Sequence, residues 1–154
     1  MPATKLKEFL DSRGVKYVSL RHSPAFSAAE VAASAHVSGR DFAKTLIVKI
    51  EGAMAMVVLP ANRRLVLSEL REMLESPHVT LASEAEFRDA FPDCELGAMP
   101  PFGHLYGMPV YIAANLTEEP EIAFNAGTHT EVIKMDYADF ARLVNPTVVD
   151  FVTT

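Results

Sequence analysis

Ala43-Lys44-Thr45-Leu46-Ile47-Val48-Lys49-Ile50, then Glu51-Gly52, then Met54-Ala55-Met56-Val57-Val58-Leu59, is the stretch whose reading decides the fold. Both runs are apolar and rich in β-branched side chains, which predicts two strands. Glu51-Gly52 between them fits a two-residue hairpin turn, and Pro60 ends the pair. With a period of two, Lys44 shares one face of its strand with Leu46 and Val48, while Thr45, Ile47 and Lys49 share the other. Lys49 can reach solvent, but Lys44 sits on a face that otherwise reads as buried. An ammonium there must snorkel, pair with an anion or shift its pKa. Two readings stay open: a lysine snorkelling at a strand end, and an ammonium aimed into a cleft to hold a phosphate, a carboxylate or a polarised carbonyl.

Outward from the hairpin, strands and helices mix without regular alternation. Residues 4–13 repeat apolar groups at Leu6, Phe9 and Leu10, with Gly14 as a stop, and predict an amphipathic helix. Lys16 to Leu20 reads as a strand. Ser27-Ala28-Ala29-Glu30 is a capping box opening a helix over 28–35. Ser68 is expected to cap a helix through about Leu74, and Ser83-Glu84-Ala85-Glu86 is a second capping box, opening a helix to about Ala90. Leu105-Tyr106 and Val110 to Ile112 read as strand pieces. Glu121 to Phe124 and Glu131 to Met135 form another strand pair, and Asp136 caps a last helix through Val144. The pattern predicts an α+β fold with a mixed or antiparallel sheet rather than a doubly wound one. No repeat, linker or low-complexity tract interrupts it, so residues 1–154 read as a single domain.

Composition narrows the function classes. At 154 residues and 49% hydrophobic, the chain can bury a full core. No apolar run reaches the ~18 residues a bilayer span needs, and residues 1–8 lack a signal-peptide stretch. The single Cys94 excludes an intrachain disulfide and a cysteine-cluster metal site, and a reducing cytoplasm is the expected compartment. Net charge is −6, which argues against a general nucleic-acid coat and against DNA. Residues 1–75 nevertheless hold 11 Lys and Arg against 8 Asp and Glu, whereas residues 76–154 hold 3 against 12. Arg40, Lys44, Lys49, Arg63 and Arg64 all lie in the basic half. That asymmetry fits either a polyanion-facing surface or a solvated face.

Gly97-Ala98-Met99-Pro100-Pro101-Phe102-Gly103 is the second informative stretch. Each proline fixes φ and removes a donor, and each glycine admits close approach. Such a loop is stiff, and its remaining N–H groups can hold a carbonyl or an oxyanion without reorganising. A rigid turn without chemistry has the same composition. A third candidate, Asn125-Ala126-Gly127-Thr128-His129, offers small residues and a polar tail, and as a strand connection needs no function. Phosphate-loop, dinucleotide, zinc-protease and nucleophile-elbow motifs are missing from the sequence, and five scattered histidines define no metal site. No cofactor is expected.

Taken together, A-K-T-L-I-V-K at 43–49, G-A-M-P-P-F-G at 97–103 and F-N-A-G-T-H at 124–129 resemble the YbaK/prolyl-tRNA-synthetase-associated domain family, over about residues 6–151. The resemblance implies a mixed, curved β-sheet or barrel surrounded by helices. It also implies a stand-alone deacylase that hydrolyses the ester of mischarged aminoacyl-tRNA. Carried over, the family's lysine falls on Lys44, its glycine/proline loop on Gly97, Pro101 and Gly103, and its third loop on Ala126 and Gly127. Thr45, Ala98, Met99, Pro100, Phe102 and His129 are expected to line the substrate pocket, and Arg40, Arg63 and Arg64 to meet tRNA. Thr45 stands where an alanine-specific branch carries asparagine. The 97–103 loop lacks a serine found in other branches. These departures resemble the branch active on serine, threonine and alanine. The implied mechanism uses loop N–H groups for the oxyanion, Lys44 to hold the terminal phosphate or ribose, and the vicinal ribose hydroxyl to place water. An aminoacyl-tRNA synthetase is a possible partner under the same resemblance. A non-catalytic tRNA- or synthetase-binding module of the same fold is the alternative.

Overall fold

A computed structural model describes residues 4–22, 37–150 and 152–153. Helix α1 (Thr4–Ser12) buries Leu6 and Leu10 one turn apart. It ends where Gly14 takes φ +65°, with the Gly14 N–H on the Asp11 carbonyl and the Val15 N–H on the Leu10 carbonyl. That left-handed glycine stop satisfies carbonyls the helix would otherwise leave orphaned.

The hairpin forms as read. Strands β2 (Ala43–Ile50) and β3 (Ala53–Pro60) pair antiparallel from Ala43↔Pro60 to Ile50↔Ala53. Glu51 and Gly52 both have positive φ, 50° and 84°, as the tight mirror-image turn demands. The hairpin is the centre of a five-stranded sheet ordered β5-β2-β3-β6-β9, with β5 at Val79–Leu81, β6 at Val110–Ala113 and β9 at Thr147–Val149. β6 runs parallel to β3 and β9 parallel to β6, so the sheet is mixed. A second, antiparallel sheet is ordered β1-β8-β7 (Tyr17–Arg21, Glu131–Asp136, Glu121–Asn125). A short pair joins β4 (Arg64–Leu65) to β10 (Val152–Thr153). The two larger sheets meet where the Ala123 N–H donates to the Asp41 carbonyl at 2.9 Å and Phe42 bridges Ala123 in parallel.

The α+β class and mixed sheet hold, but the sheet does not close into a barrel. β5 and β9, three residues each, remain its two edges, and closure requires continuous pairing around the circuit.

Both faces of the hairpin are covered. Ile47, Met56, Val110 and Ile112 pack into the main core with Leu6, Phe102, Phe124 and Phe140. Val48, Val57 and Leu59 pack on the opposite side with Leu70 of helix α2 (Leu67–Met73) and Val79. Helix α3 (Glu84–Phe87) opens with the predicted capping box, Ser83 and Glu86 bonding reciprocally. Helix α4 (Tyr137–Val144) follows β8.

Four local expectations are corrected. Ser68 does not cap α2: the N-cap is Val66, which makes no side-chain cap bond. Asp136 is the N-cap of α4 but likewise makes none. Leu105-Tyr106 is not a strand but part of a 3₁₀ turn over Gly103–Tyr106, closed by Gly107 at φ 71°. The helix expected to about Ala90 continues past Phe87 only as a 3₁₀ turn. The helix expected over 28–35 lies outside the described residues.

Candidate active site

The 97–103 loop is an interior element. From Ala98 to Gly103 every residue is buried. Its anchor is Phe102, whose ring centroid lies 5.3 Å from those of Phe124 and Phe140. Phe102 is fully buried among these rings and is the loop's hydrophobic peg. Gly103 is demanded by packing, because a Cβ there would sit 2.3 Å from the Met108 carbonyl oxygen and 2.7 Å from Val110.

The loop's N–H groups divide cleanly. Pro100 and Pro101 have none. The Gly97 N–H points to Met99 Sδ, the Ala98 N–H to the Glu95 carbonyl and the Phe102 N–H to the Pro100 carbonyl. The N–H groups of Met99 and Gly103 have no hydrogen-bond partner among the described residues. Buried backbone donors are paired in the great majority of cases, so two such donors in one buried loop are a distinctive feature.

The 126–129 loop holds this element from the side. The Gly127 N–H donates to the Ala98 carbonyl at 2.9 Å, and the Glu95 N–H to the Gly127 carbonyl at 2.8 Å. Gly127 has φ +95° and Gly97 φ +84°, a conformation that glycine adopts without strain. His129, 7% exposed, donates from Nε2 to the Leu96 carbonyl at 2.8 Å, and its backbone N–H donates to Glu95 Oε1. Its ring would lie 3.5 Å from a Cβ on Gly97. The predicted Gly97, Ala98, Met99, Ala126, Gly127 and His129 are therefore neighbours, with His129 bracing the loop.

Lys44 and Thr45 point to opposite sides of β2. Thr45 shares the side of Ala43 and Ile47, facing the core that holds Met99, Phe102 and Ala126, and its buried hydroxyl oxygen has no partner among the described residues. Lys44 shares the side of Leu46 and Val48. It is half-buried and makes no ion pair or hydrogen bond among the described residues. Burial first, and then the nearby Arg64 guanidinium, lower its pKa. An unpaired, partly desolvated ammonium beside a second cation is a receptor for an anion.

Arg40 and Arg63 do not sit with Lys44 in one cavity. They line a cleft of about 220 Å³ with Pro60, Asn62, Asn115 and Glu119. Neither they nor Arg64 form an ion pair among the described residues. A larger hollow, about 550 Å³, lies at the end of the β1-β8-β7 sheet beside Tyr17, Val18, Glu121 and Lys134 and contains none of the predicted residues. Among the described residues no cluster of His, Cys, Asp or Glu could hold a metal, and no helix is long and apolar enough to cross a membrane. Burial pushes the Cys94 thiol up to about 11, with the neighbouring Tyr106 hydroxyl opposing the shift, so it is not a thiolate at neutral pH.

The aminoacyl-tRNA editing domain profile matches residues 22–143. The chain is 32% identical over 114 residues to the Multifunctional Ser/Thr-tRNA deacylase ProXp-y of two Escherichia coli strains, covering 71% of this chain and 68% of that protein. A solved structure of a hypothetical protein superposes with a TM-score of 0.85 at 24% identity, covering 97% of this chain and 99% of the other. A candidate trans-editing enzyme for prolyl-tRNA synthetase superposes with a TM-score of 0.83 at 23% identity, covering 99% and 97%. Those two likenesses bear on the fold. The chain belongs to the aminoacyl-tRNA editing domain family. It is a hydrolase of the editing class, an aminoacyl-tRNA deacylase.

Proposed function

We propose that residues 1–154 act as one editing domain that releases serine, threonine or alanine from mischarged tRNA by hydrolysing the ester to the terminal ribose. The unpaired Lys44 ammonium beside Arg64 carries this reading, because it calls for an anionic ligand on the hairpin. The terminal phosphate of the tRNA acceptor end meets that demand. Thr45 faces the 97–103 loop, and the relative's substrates are hydroxylated amino acids.

In the proposed mechanism the Met99 and Gly103 N–H groups receive the oxyanion of the tetrahedral intermediate. Proline-fixed geometry keeps them aimed, and losing one such donor costs roughly 10²–10³ in rate. His129 and Gly127 position the loop. Lys44 orients the acceptor end, and the vicinal ribose hydroxyl places the attacking water. Arg40, Arg63 and Arg64 contact the tRNA backbone, so binding weakens as salt rises. Apolar size selection is worth only ~1–3 kcal/mol per methylene, so activity extends over several small amino acids. The reaction is placed in the cytoplasm, with or without a synthetase bound.

Release of labelled amino acid from Ser-, Thr- and Ala-charged tRNA by the wild type and Lys44→Ala tests this. Turnover that collapses in the variant is expected. Undiminished turnover without Lys44 would refute its role, and tRNA binding with no turnover by the wild type would leave a binding module instead.

A further inference from the structure

Asn125 ends strand β7, where it pairs in register with Val132 of β8. It is 8% exposed, and its Oδ1 is buried with no hydrogen-bond partner among the described residues. A buried acceptor left unpaired destabilises a fold, and native interiors seldom keep one without a use for it.

Its place in the fold indicates the use. β7 alternates sides: Ile122, Phe124 and Ala126 enter the main core, whereas Ala123 packs against Phe42 and Val132. Asn125 follows Ala123 on that second side. The parallel bridge sets Phe42 beside Ala123, and Lys44 follows Phe42 by the same two-residue step. Lys44 and Asn125 each follow that single bridge by two residues and so fall on the same side. One residue further on, the chain enters the loop whose Gly127 bonds Ala98. Asn125 thus follows the side that Lys44 shares and lies two residues before Gly127, which ties this segment to the loop carrying the Met99 and Gly103 N–H groups. Lys44 and the loop N–H groups are a cation and donors, and a carboxamide oxygen is a neutral acceptor that complements them.

We infer that Asn125 is a substrate-positioning residue whose carboxamide oxygen accepts a hydrogen bond from the aminoacyl group of the bound ester. This inference rests on the deacylase reading above. Two donors on that group share the required chemistry: the α-ammonium, present in every aminoacyl ester, and the side-chain hydroxyl of serine and threonine. A lysine at the same site cannot substitute, because an ammonium has no acceptor.

The test compares wild type, Asn125→Leu and Asn125→Ser in kcat/KM on Ser-, Thr- and Ala-charged tRNA, together with thermal unfolding. Asn125→Leu keeps the volume and removes the unpaired acceptor. It is expected to unfold at the same temperature or higher while kcat/KM falls about 10–100-fold. Asn125→Ser, which retains a short acceptor, is expected to recover part of that loss. Equal loss on all three substrates assigns the α-ammonium, and loss confined to Ser- and Thr-tRNA assigns the hydroxyl. Unchanged kcat/KM in both variants, or an activity loss that only tracks a lowered unfolding temperature, overturns the inference while wild-type turnover leaves the deacylase reading standing. A wild type that releases none of the three amino acids overturns both.

Discussion

The β2–β3 hairpin and the 97–103 loop carry the two halves of the site by opposite means. The hairpin is a regular ladder of eight paired positions with apolar cover on both faces. Its stability is spread over many equivalent contacts, so it can carry a functional group that contributes nothing to folding. Lys44 is such a group: half-buried, unpaired among the described residues and near Arg64. The loop has no ladder. It is held by one aromatic peg, one close-packed glycine and a few bonds to the 126–129 segment. Regular scaffolds tolerate an unsatisfied group, whereas irregular ones must be pinned at particular atoms.

That contrast breaks most readily at the peg. Phe102→Ala is expected to cost roughly 3–5 kcal/mol of stability, read by denaturant unfolding, and to abolish activity through loss of loop geometry. A variant that stays as stable as the wild type would show that the loop is not pinned through this ring. On the hairpin the opposite result is expected. Lys44→Ala should reduce deacylation by about 10²–10³ with unfolding unchanged or slightly improved, because it removes a desolvated cation. Gly103→Ala comes next, at about 1–3 kcal/mol, since the added methyl meets backbone at 2.3 Å and cannot move it cheaply.

Glu131 sharpens the comparison by pH. It is 4% exposed and bonds Lys7 and Ser19. Burial raises its pKa, but the bonds to Lys7 and Ser19 outweigh that and hold it below the usual glutamate value. A depressed folded pKa contributes stability above the unfolded value and loses it as pH falls through the folded one. The unfolding temperature of the wild type should therefore drop on acidification, and Glu131→Gln should flatten that part of the profile. The smallest effect is expected at Ser83→Ala. Losing the capping box should cost ~1 kcal/mol, seen in unfolding with activity unchanged.

Much of the fold was legible because its signals are local. The Glu51-Gly52 turn, the Ser83 capping box and the Gly14 stop each act within a few residues, and each formed as read. Ser68 and Asp136 have the right residue types for caps, yet their side chains make no such bond. Leu105-Tyr106 looked extended by composition, but Gly103 and Gly107 wind it into a turn that lets Phe102 enter the core. Period-two alternation placed Lys44 and Thr45 on opposite sides of β2, and the two covers of the hairpin bear that out. Asn125 could not be singled out, because an asparagine beside a glycine turn is ordinary until its burial and missing partner are known.

From the sequence alone followed the α+β class, the hairpin, the stiff loop, the basic first half and a resemblance resting on three separated motifs. Those features depend on backbone preferences and side-chain alternation, which are properties of short segments. Only the tertiary structure decided that the sheet stays open, that Phe102 is a peg in the core, that His129 braces Leu96, and that Phe42 meets Ala123 across the two sheets. Each of these depends on segments some 20 to 80 residues apart meeting in space, and burial and hydrogen-bond pairing are settled at such meetings rather than along the chain.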